Sequence, residues 1–512
     1  MIAATLGTVL RHDVGHFGNR TAITIDDRAQ TFLELARAVD QARALLAPLV
    51  RPGDRVAIAL PNSFAWVAAF LALSELDAIS VPLNTRLTAT EMRVILEDAE
   101  VTAVLANPSY RGRDYVAEAV EAARGVTPHV VAATDDATPA DWRVISGLAP
   151  TRIAAPMEAP GVFCIQYTSG TTSAPKGVML TQHRYLQTAA YVVQCQRLTP
   201  ATSFMSAAPF FHCSGSMHAI TTCLLAGSTL HSVSAWDPDQ FLDLVAAHRG
   251  QAGHGVFFRD IVALGEARVR DRLATLKVAV DIGGPDFVRR LHDEFGITGI
   301  SNIYGMTETC GNFTMWFPDD PLDKRIVLSG RPQPGNEIRI FDVTTGAPAP
   351  AGVEGEIQMR GPTLTPGYYR RPEANAAAFT ADGWFRSGDL GSVTAEGELH
   401  YKARLRDIIR VGGENVSPAE VELAVHRRTG LKEFSIIGVR DGRLGEVVAL
   451  VVPDTVERDW PAELEALSRE IAGFKMPRQV WSAEHMPMTA TNKVQRATLQ
   501  RWVEDGRLRR LV

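Results

Sequence analysis

The most informative stretch of this 512-residue chain is YTSGTTSAPKG, residues 167–177. It follows a short apolar run, Gly161–Gln166, whose pattern predicts a buried strand. Five Ser and Thr hydroxyls, two glycines and Lys176 in one loop suit a polyphosphate, because hydroxyls and backbone N–H groups donate hydrogen bonds and the lysine neutralises charge. The loop is not a Walker A motif, since Pro175 precedes the lysine and no Ser or Thr follows it. A solvated linker is the alternative interpretation.

Outside this loop, strand-like and helix-like patterns alternate along most of the chain. Short β-rich runs and helical spacing predict strands at Thr21–Ile25 and Arg55–Leu60, and helices at Thr31–Leu46 and Phe64–Leu76. Further strands are predicted at Val101–Leu105, His129–Ala132, Gly161–Gln166 and Val278–Ile282. Such alternation is typical of a layered α/β fold with a largely parallel sheet.

The pattern changes twice toward the C-terminus. From about Gly330 to Tyr401, frequent glycine and proline and short alternating strands predict a small antiparallel unit, a barrel or a sandwich. After Arg410, a helix starting at Ser417, two strands and a second helix at Ala462–Ala472 predict a compact α+β domain of about a hundred residues.

Composition and charge exclude several classes of protein. The chain has 46% hydrophobic and 21% charged residues, as soluble globular proteins do, and its net charge of −6 argues against a nucleic-acid partner. None of the five cysteines forms a C-x-x-C pair, so no zinc ribbon is expected. Residues 198–236 lack Asp, Glu, Lys and Arg, but prolines and glycines interrupt them, so they predict the deep interior or a pocket wall of a soluble domain and no transmembrane segment. The N-terminus lacks the basic start of a signal peptide, and a cytoplasmic location is expected.

Four further motifs contain glycines and polar residues suited to a nucleotide site. They are NIYGMTET at 302–309, GWFRSGDLG at 383–391, ARLRDIIRVGGENVSPAEV at 403–421 and PMTATNKVQR at 487–496. Together with the loop at 167–177, and in this order, they resemble the adenylate-forming superfamily, which includes acyl- and aryl-CoA synthetases, peptide-synthetase adenylation domains and firefly luciferase.

The resemblance implies a fold and a reaction. The fold is a large layered α/β N-terminal domain, residues 1–404, ending in a small β-barrel at 330–401, followed by a mobile α+β C-terminal domain, residues 405–512. The reaction is ATP-dependent activation of a carboxylic acid to acyl-AMP, followed by transfer of the acyl group to a thiol. The cofactors implied are ATP, Mg²⁺ and coenzyme A.

The same resemblance assigns the nucleotide-binding residues. The phosphates of ATP are assigned to Thr168, Ser169, Gly170, Thr171, Thr172 and Lys176. The adenosine is assigned to Gly283, Gly284, Pro285, Asn302, Tyr304 and Gly305, and to Asp389 on the ribose with Tyr401 and Arg404 near it. Thr307 is expected at the α-phosphate, and Thr171 and Glu308 at Mg²⁺. The catalytic lysine is Lys493, and Arg406 occupies the hinge.

Substrate and acceptor follow from two further segments. PFFHCSG at 209–215 resembles the segment lining the family's acyl pocket, where His212 is expected to gate the pocket or orient the carboxylate. The wall is expected to include Phe211, Val256, Phe257 and Phe258, which favours a fatty, alicyclic or aryl acid over an amino acid; plain core packing is the alternative for these aromatics. The Gly412-Gly413 turn matches the form common in CoA ligases.

Three alternatives stay open at this point. The acyl group could pass to a carrier protein or an amine instead of coenzyme A. Because Ser173 and Asn492 replace glycines usual in the family, a non-catalytic nucleotide- or acyl-binding homologue is a further alternative. A homodimer is considered for the oligomeric state.

Overall fold

The structure is a computed structural model that describes residues 5–136, 138–148, 161–168, 175–255, 258–281, 284–342, 345–411, 414–488 and 494–512. These residues group into two compact units. The first holds the described residues from 5 to 337 together with 360–383, and the second holds those from 338 to 359 and from 384 to 512. The predicted boundary between residues 404 and 405 stays a prediction.

Two seven-stranded sheets organise the first unit. The first sheet consists, in spatial order, of Gly299–Asn302, Val278–Asp281, Ala252–His254, Ser203–Ser206, Thr229–Ser232, Thr21–Ile25 and Arg28–Thr31. The second consists of Arg143–Ser146, His129–Ala132, Ala103–Ala106, Arg55–Ala59, Ile79–Pro82, Val162–Thr168 and Lys176–Thr181. Neighbouring strands are parallel except at Arg28–Thr31, Arg143–Ser146 and Lys176–Thr181, which pair antiparallel. The largely parallel α/β fold expected from the sequence is therefore confirmed.

Helices and short turns connect these strands. The α-helices are Leu6–Phe17, Phe32–Leu46, Phe64–Glu75, Ala89–Asp98, Tyr115–Ala123, Gln182–Cys195, Cys213–Gly215, Thr222–Ala226, Pro238–Ala247, Phe258–Val262, Glu266–Val269, Pro285–Asp293, Leu322–Val327 and Pro372–Ala378. A π-helical turn spans Ser216–Thr221, 3₁₀ turns span Pro139–Asp141 and Thr307–Thr309, and a small ribbon pairs Thr314–Met315 with Arg331–Pro332.

The helix predicted at 31–46 shows how local chemistry sets a boundary. Thr31 is its N-cap: the Thr31 side chain accepts from Glu34 N, and the Glu34 carboxylate accepts from Thr31 N at 2.8 Å. This capping box satisfies two backbone donors that a helix start leaves free. Phe32, Leu35 and Val39 then bury one face of the helix.

The second unit contains two sheets. Its five-stranded antiparallel sheet runs Ala347–Pro348, Glu337–Asp342, Gly355–Arg360, Phe385–Val393 and Leu399–Arg404. Among the described residues this sheet is open, since its two outer strands do not pair with each other, whereas the resemblance implied a barrel.

The C-terminal part of the second unit is α+β, as expected. Its sheet runs Glu414–Val416, Ile409–Val411, Gly445–Pro453, Gln479–Ala483 and Arg509–Arg510, with Ser435–Asp441 also paired to the third of these. Its helices are Pro418–Thr429, Trp460–Leu467 and Arg496–Glu504, with 3₁₀ turns at Leu405–Asp407 and Gly473–Lys475.

The helix predicted at Ala462–Ala472 instead spans Trp460–Leu467, because the Asp459 side chain caps it by accepting from Ala462 N at 3.2 Å. No helix in the part of the chain that the structure describes has the length and apolarity needed to cross a membrane.

Candidate active site

The two ends of the phosphate loop lie side by side in the second sheet of the first unit. Val162–Thr168 and Lys176–Thr181 pair antiparallel, with Thr168 opposite Lys176. The Thr168 hydroxyl donates to the Lys176 carbonyl at 3.4 Å, and Nζ of Lys176 lies 5.1 Å from the ring centroid of Tyr368. A cation over a tyrosine face is attracted by the ring quadrupole, so Tyr368 fixes where the lysine charge sits.

Glu308 lies on the 3₁₀ turn Thr307–Thr309 and is held by the same tyrosine. The Tyr368 hydroxyl donates to Oε1 of Glu308 at 2.8 Å, and the Thr365 backbone N–H donates to the Glu308 carbonyl at 2.6 Å. A hydrogen bond to a carboxylate is charge-assisted and therefore strong. Glu308 is thus fixed at both its backbone and its side chain.

The segment 365–369 also pairs with the strand that carries Lys176. Tyr369 N donates to the Gly177 carbonyl at 2.8 Å, and Met179 N donates to the Gly367 carbonyl at 3.0 Å. Gly367 has a φ of +138°, where a side chain would be strained, and a Cβ there would lie 2.8 Å from Oδ1 of Asn375. The segment 365–369 therefore connects the strand Lys176–Thr181 to the turn that carries Glu308. None of the sequence motifs predicted this role.

Asn302 is the last residue of the edge strand Gly299–Asn302 of the first sheet, and Tyr304 follows two positions later. Asn302 is buried, and its side-chain amide donates to the Ile326 carbonyl at 2.7 Å. Tyr304 is buried, and its carbonyl accepts from Phe313 N at 2.8 Å. Gly305 must be glycine, because a Cβ would lie 2.6 Å from the Asn312 backbone. Backbone contacts thus anchor the start of the YGMTE segment, Tyr304 and Gly305, and its last two residues are Thr307 and Glu308.

Asn312 is a polar residue that the motif analysis missed. Its side chain is completely buried, and neither amide atom has a hydrogen-bond partner among the described residues. Buried polar groups without partners are rare in folded proteins.

The segment predicted to line the acyl pocket is held at its start. The side-chain amide of Gln166 donates to the Phe211 carbonyl at 2.6 Å. The Ser214 backbone N–H donates to Nδ1 of His212 at 3.2 Å, which makes this nitrogen an acceptor and leaves the ring proton on Nε2. The imidazole is therefore oriented by its own chain and carries a donor at its far edge.

Phe258 belongs to the hydrophobic core beneath the first sheet. It is 2% exposed and packs with residues such as Ile261, Leu242 and Val245. A Cβ at Gly255 would lie 1.8 Å from the Phe258 ring, so the ring lies directly on the strand end. The structure gives Phe258 a packing role, and its predicted role as pocket wall stays a prediction.

Asp389 and Arg404 lie opposite each other in the five-stranded sheet of the second unit. Nε of Arg404 is 3.0 Å from Oδ1 of Asp389, whose side chain is only 1% exposed. Tyr401 is on the same strand as Arg404 and is 38% exposed. The carboxylate predicted to bind ribose is thus buried and paired with the predicted neighbour.

Gly284 and Pro285 begin the helix Pro285–Asp293, with Gly284 as N-cap and Pro285 at its first position. Several predicted site residues lie outside the described residues, so their placement stays a prediction: Ser169, Gly170, Thr171, Thr172, Val256, Phe257, Gly283, Gly412, Gly413 and Lys493, together with Ser173, Asn492 and the side chain of Arg406.

The site residues of the first unit fit the group they are expected to hold. Lys176 supplies a cation for phosphate, and Glu308 supplies a carboxylate oxygen, the ligand type that Mg²⁺ prefers. Tyr368 contacts both side chains, and its hydroxyl donates to Oε1 of Glu308 and not to Oε2. The arrangement is suited to a nucleotide triphosphate with its divalent cation.

Comparison with known proteins places this geometry in a family. A family model described as AMP-binding enzyme matches residues 10–369. The chain is 35% identical over 510 residues to the 3-[(3aS,4S,7aS)-7a-methyl-1,5-dioxo-octahydro-1H-inden-4-yl]propanoyl:CoA ligase of Mycobacterium tuberculosis (strain ATCC 25618 / H37Rv), covering 97% of this chain and 98% of that protein. It is 34% identical over 489 residues to the feruloyl-CoA synthase of an Amycolatopsis species, covering 94% and 95%.

A solved structure extends the likeness to the whole fold. ATP-bound MatB from Rhodopseudomonas palustris superposes with a TM-score of 0.83 at 27% identity, covering 98% of this chain and 99% of that one. The motifs, the fold and the relatives therefore agree, and the chain belongs to the AMP-binding enzyme family, the adenylate-forming enzymes.

Proposed function

We propose that this enzyme activates an apolar, ring-bearing carboxylic acid to acyl-AMP and transfers the acyl group to coenzyme A. ATP-dependent formation of acyl-CoA, the reaction of an acid–thiol ligase, is supported by family membership and by relatives that match almost the whole chain. The observation that carries the assignment to this site is the Tyr368 side chain, which holds Glu308 at 2.8 Å and stacks under Lys176.

Adenylation brings together two anions, the substrate carboxylate and the α-phosphate of ATP, and the site residues are proposed to offset the repulsion between them. The substrate carboxylate attacks the α-phosphate, its oxygen forms a bond to phosphorus, and pyrophosphate leaves. Lys176 stabilises the charge that grows on the departing phosphates, and Thr307 donates a hydrogen bond to the α-phosphate. Glu308 would hold Mg²⁺, which when bound supplies further neutralisation of phosphate charge.

The second step uses the product of the first. The carbonyl of acyl-AMP is attacked by the thiol of coenzyme A, and AMP leaves. No covalent enzyme intermediate is needed, so none of the five buried cysteines has to act as a nucleophile. The C-terminal domain is proposed to rotate about the hinge at Arg406 between the two steps. Lys493 would serve the first step, and the Gly412-Gly413 turn would serve the second.

The acid is proposed from the acyl segment and the relatives. Residues 198–236 carry no charged side chain, so a substrate ammonium group would be buried without a partner. The two relatives act, by their names, on a dioxo-octahydroindenyl propanoyl group and a feruloyl group, both ring-bearing. An alicyclic or aryl acid is therefore proposed in preference to a linear fatty acid.

The acceptor, the location and the assembly are proposed on separate grounds. Coenzyme A is proposed as the acceptor because one relative is named a CoA ligase and the other a feruloyl-CoA synthase, and an acyl carrier protein is the competitor. A cytoplasmic location and a homodimer stay predictions from the sequence.

The deciding experiment measures pyrophosphate and AMP release over a panel of alicyclic, aryl, fatty and amino acids, with and without coenzyme A. We expect ring-bearing acids to release pyrophosphate and to yield a thioester only when coenzyme A is present. Glu308→Gln removes the carboxylate and should abolish release, whereas Glu294→Gln, at an exposed helix ion pair with Arg290, should not. ADP as the direct product, or faster turnover of amino acids, would contradict the proposal.

A further inference from the structure

Two buried histidines, His218 and His254, face each other next to the acyl segment. Their ring centroids are 4.5 Å apart at an interplanar angle of 71°, an edge-to-face contact. His218 is 1% exposed and His254 is 9% exposed. Neither belongs to a motif of the nucleotide site.

Both rings have a nitrogen with no hydrogen-bond partner among the described residues. These atoms are Nε2 of His218 and Nδ1 of His254. The edge-to-face contact turns one ring edge toward the face of the other, and such a contact is a weak substitute for a hydrogen bond. A core designed only for packing would place apolar rings here, because unsatisfied buried polar atoms are costly.

The backbone brings the pair to the place where ligands bind in this fold class. His254 is the last residue of the parallel strand Ala252–His254, at the carboxyl edge of the sheet. Crevices beyond the carboxyl ends of parallel strands are the usual ligand sites of open α/β sheets. His218 lies on the π-helical turn Ser216–Thr221, six positions after His212 in the sequence.

The π-helical turn is supported by its own side chains. The hydroxyl of Thr221 donates to the Ser216 carbonyl at 2.8 Å, and that of Thr222 donates to the Met217 carbonyl at 3.1 Å. Single π-helical turns are rare in proteins, and those that do occur often lie at functional sites. Here the turn sets the position of His218 against His254.

Both imidazoles are neutral at physiological pH. Burial lowers the pKa of His218 well below its usual range, with a smaller contribution from His254. Burial, followed by a smaller electrostatic contribution from His212, lowers the pKa of His254 to about 4. A neutral imidazole has one N–H donor and one acceptor nitrogen, so the pair can both donate and accept.

We propose that His218 and His254 form a hydrogen-bonding subsite for an oxygen atom on the acyl group, so that the preferred acid carries a keto or hydroxyl group on an otherwise apolar ring skeleton. This rests on the proposed function, since it names the substrate class of the same acyl site. His212 is expected at the substrate carboxylate, and the histidine pair is proposed to recognise a second oxygen of the same substrate.

The test compares matched acids that differ in a single oxygen. The probes are 3-(4-oxocyclohexyl)propanoate, 3-(4-hydroxycyclohexyl)propanoate and 3-cyclohexylpropanoate, and the readout is the ratio of kcat/KM values for pyrophosphate release. The wild type should favour an oxygenated acid over the deoxy acid by tenfold or more, because a deoxy acid leaves the ring nitrogens unpaired. His254→Phe and His218→Phe should each bring this ratio to within about threefold of one.

His231→Phe is the matched control. His231 is also buried, stacks on His248 at 4.1 Å and has an Nδ1 without a partner among the described residues, but it lies within the strand Thr229–Ser232. Its replacement should leave the ratio unchanged. If a phenylalanine variant does not fold, ¹⁵N spectra of histidine-labelled wild type decide: the oxygenated acid should shift two ring resonances that the deoxy acid leaves in place.

The outcomes separate this inference from the proposed function. Turnover of all three acids with a ratio near one, or an unchanged ratio in both variants, overturns the histidine subsite and leaves the ligase assignment intact. No pyrophosphate release with any carboxylic acid overturns the proposed function itself.

Discussion

The hydroxyl of Tyr368 lies 2.8 Å from Oε1 of Glu308, although 60 residues separate the two in sequence. The same ring lies 5.1 Å from Nζ of Lys176, so a single side chain positions an anion and a cation of the proposed phosphate site. Tyr368 touches no reacting atom in this arrangement, and it is therefore a positioning residue.

Tyr368→Phe keeps the ring under Lys176 and removes the hydrogen bond to Glu308. A charge-assisted hydrogen bond contributes roughly 1.5–3 kcal/mol, so we expect kcat/KM for MgATP to fall by about tenfold or more and the Mg²⁺ concentration for half-maximal rate to rise. Tyr368→Leu removes both contacts and should lower activity further.

The control for this prediction is the neighbouring tyrosine. The hydroxyl of Tyr369 is 3.4 Å from Glu100, away from Glu308, so Tyr369→Phe should leave the Mg²⁺ dependence as in wild type. Steady-state rates over a Mg²⁺ titration measure both variants. Equal effects of the two substitutions would show that Tyr368 acts only through folding.

Local patterns in the sequence predicted much of the fold. The strands at Thr21–Ile25 and His129–Ala132 have the predicted bounds, and the helix predicted from Thr31 begins one residue later behind its cap. Strand alternation and capping depend on neighbours in sequence, which is why a single chain sufficed to find them. Thr168, Lys176 and Glu308 were found for a different reason, since motif resemblance carried them.

The remaining features depend on contacts distant in sequence. Tyr368 reaches Glu308 because the segment 365–369 pairs with the strand Lys176–Thr181, and no local pattern encodes that pairing. His218 and His254 are separated by 36 positions, and in the sequence His218 is an ordinary member of the charge-free stretch 198–236. Their missing hydrogen-bond partners become visible only when every neighbour in the fold is known.

The buried pair Asp389–Arg404 should contribute to both stability and nucleotide affinity. Arg404 is 41% exposed, so solvent screens part of the attraction, and a double-mutant cycle of Asp389→Asn and Arg404→Met should give a coupling of about 1–2 kcal/mol. Because Asp389 is expected to accept the ribose hydroxyls, Asp389→Asn should also raise the KM for ATP about tenfold. Urea unfolding and ATP titration measure the two effects separately.

A similar pair on the same sheet provides the control. Arg386 lies 3.6 Å from Glu356, with side chains 43% and 9% exposed. Arg386→Met should change the free energy of unfolding but not the KM for ATP. A nucleotide effect as large as that of Asp389→Asn would remove the assigned ribose role.

Acid should destabilise this protein through its buried histidines. The pKa of His254 falls from 6.5 to about 4 on folding, so between these values the unfolded state binds more protons than the folded state. This contribution is fully present above pH 6.5 and is lost as the pH falls toward 4. At pH 5 the loss relative to neutral pH amounts to roughly 2 kcal/mol for one such group.

His254→Phe removes that proton uptake. Between pH 7.5 and pH 5.0 the wild type should therefore lose roughly 2 kcal/mol more of its free energy of unfolding than His254→Phe loses, as measured by urea unfolding at both pH values. Phe210→Leu changes a fully buried aromatic side chain that does not titrate, so its loss in free energy of unfolding relative to wild type should be the same at both pH values. A parallel pH dependence of wild type and His254→Phe would contradict the assignment of a low pKa.

The last prediction separates the two half-reactions. Lys493 lies outside the described residues, and the resemblance assigns it to adenylation alone, so Lys493→Ala should slow acyl-AMP formation by roughly 10²–10³-fold, the effect of losing one preorganised charge-stabilising donor. Conversion of supplied acyl-AMP to the thioester should change little. Arg406→Pro fixes φ at the proposed hinge, so it should spare adenylation and slow thioester formation. Single-turnover assays of each step decide, and Lys493→Ala slowing both steps equally, or neither, would exclude domain alternation in this enzyme.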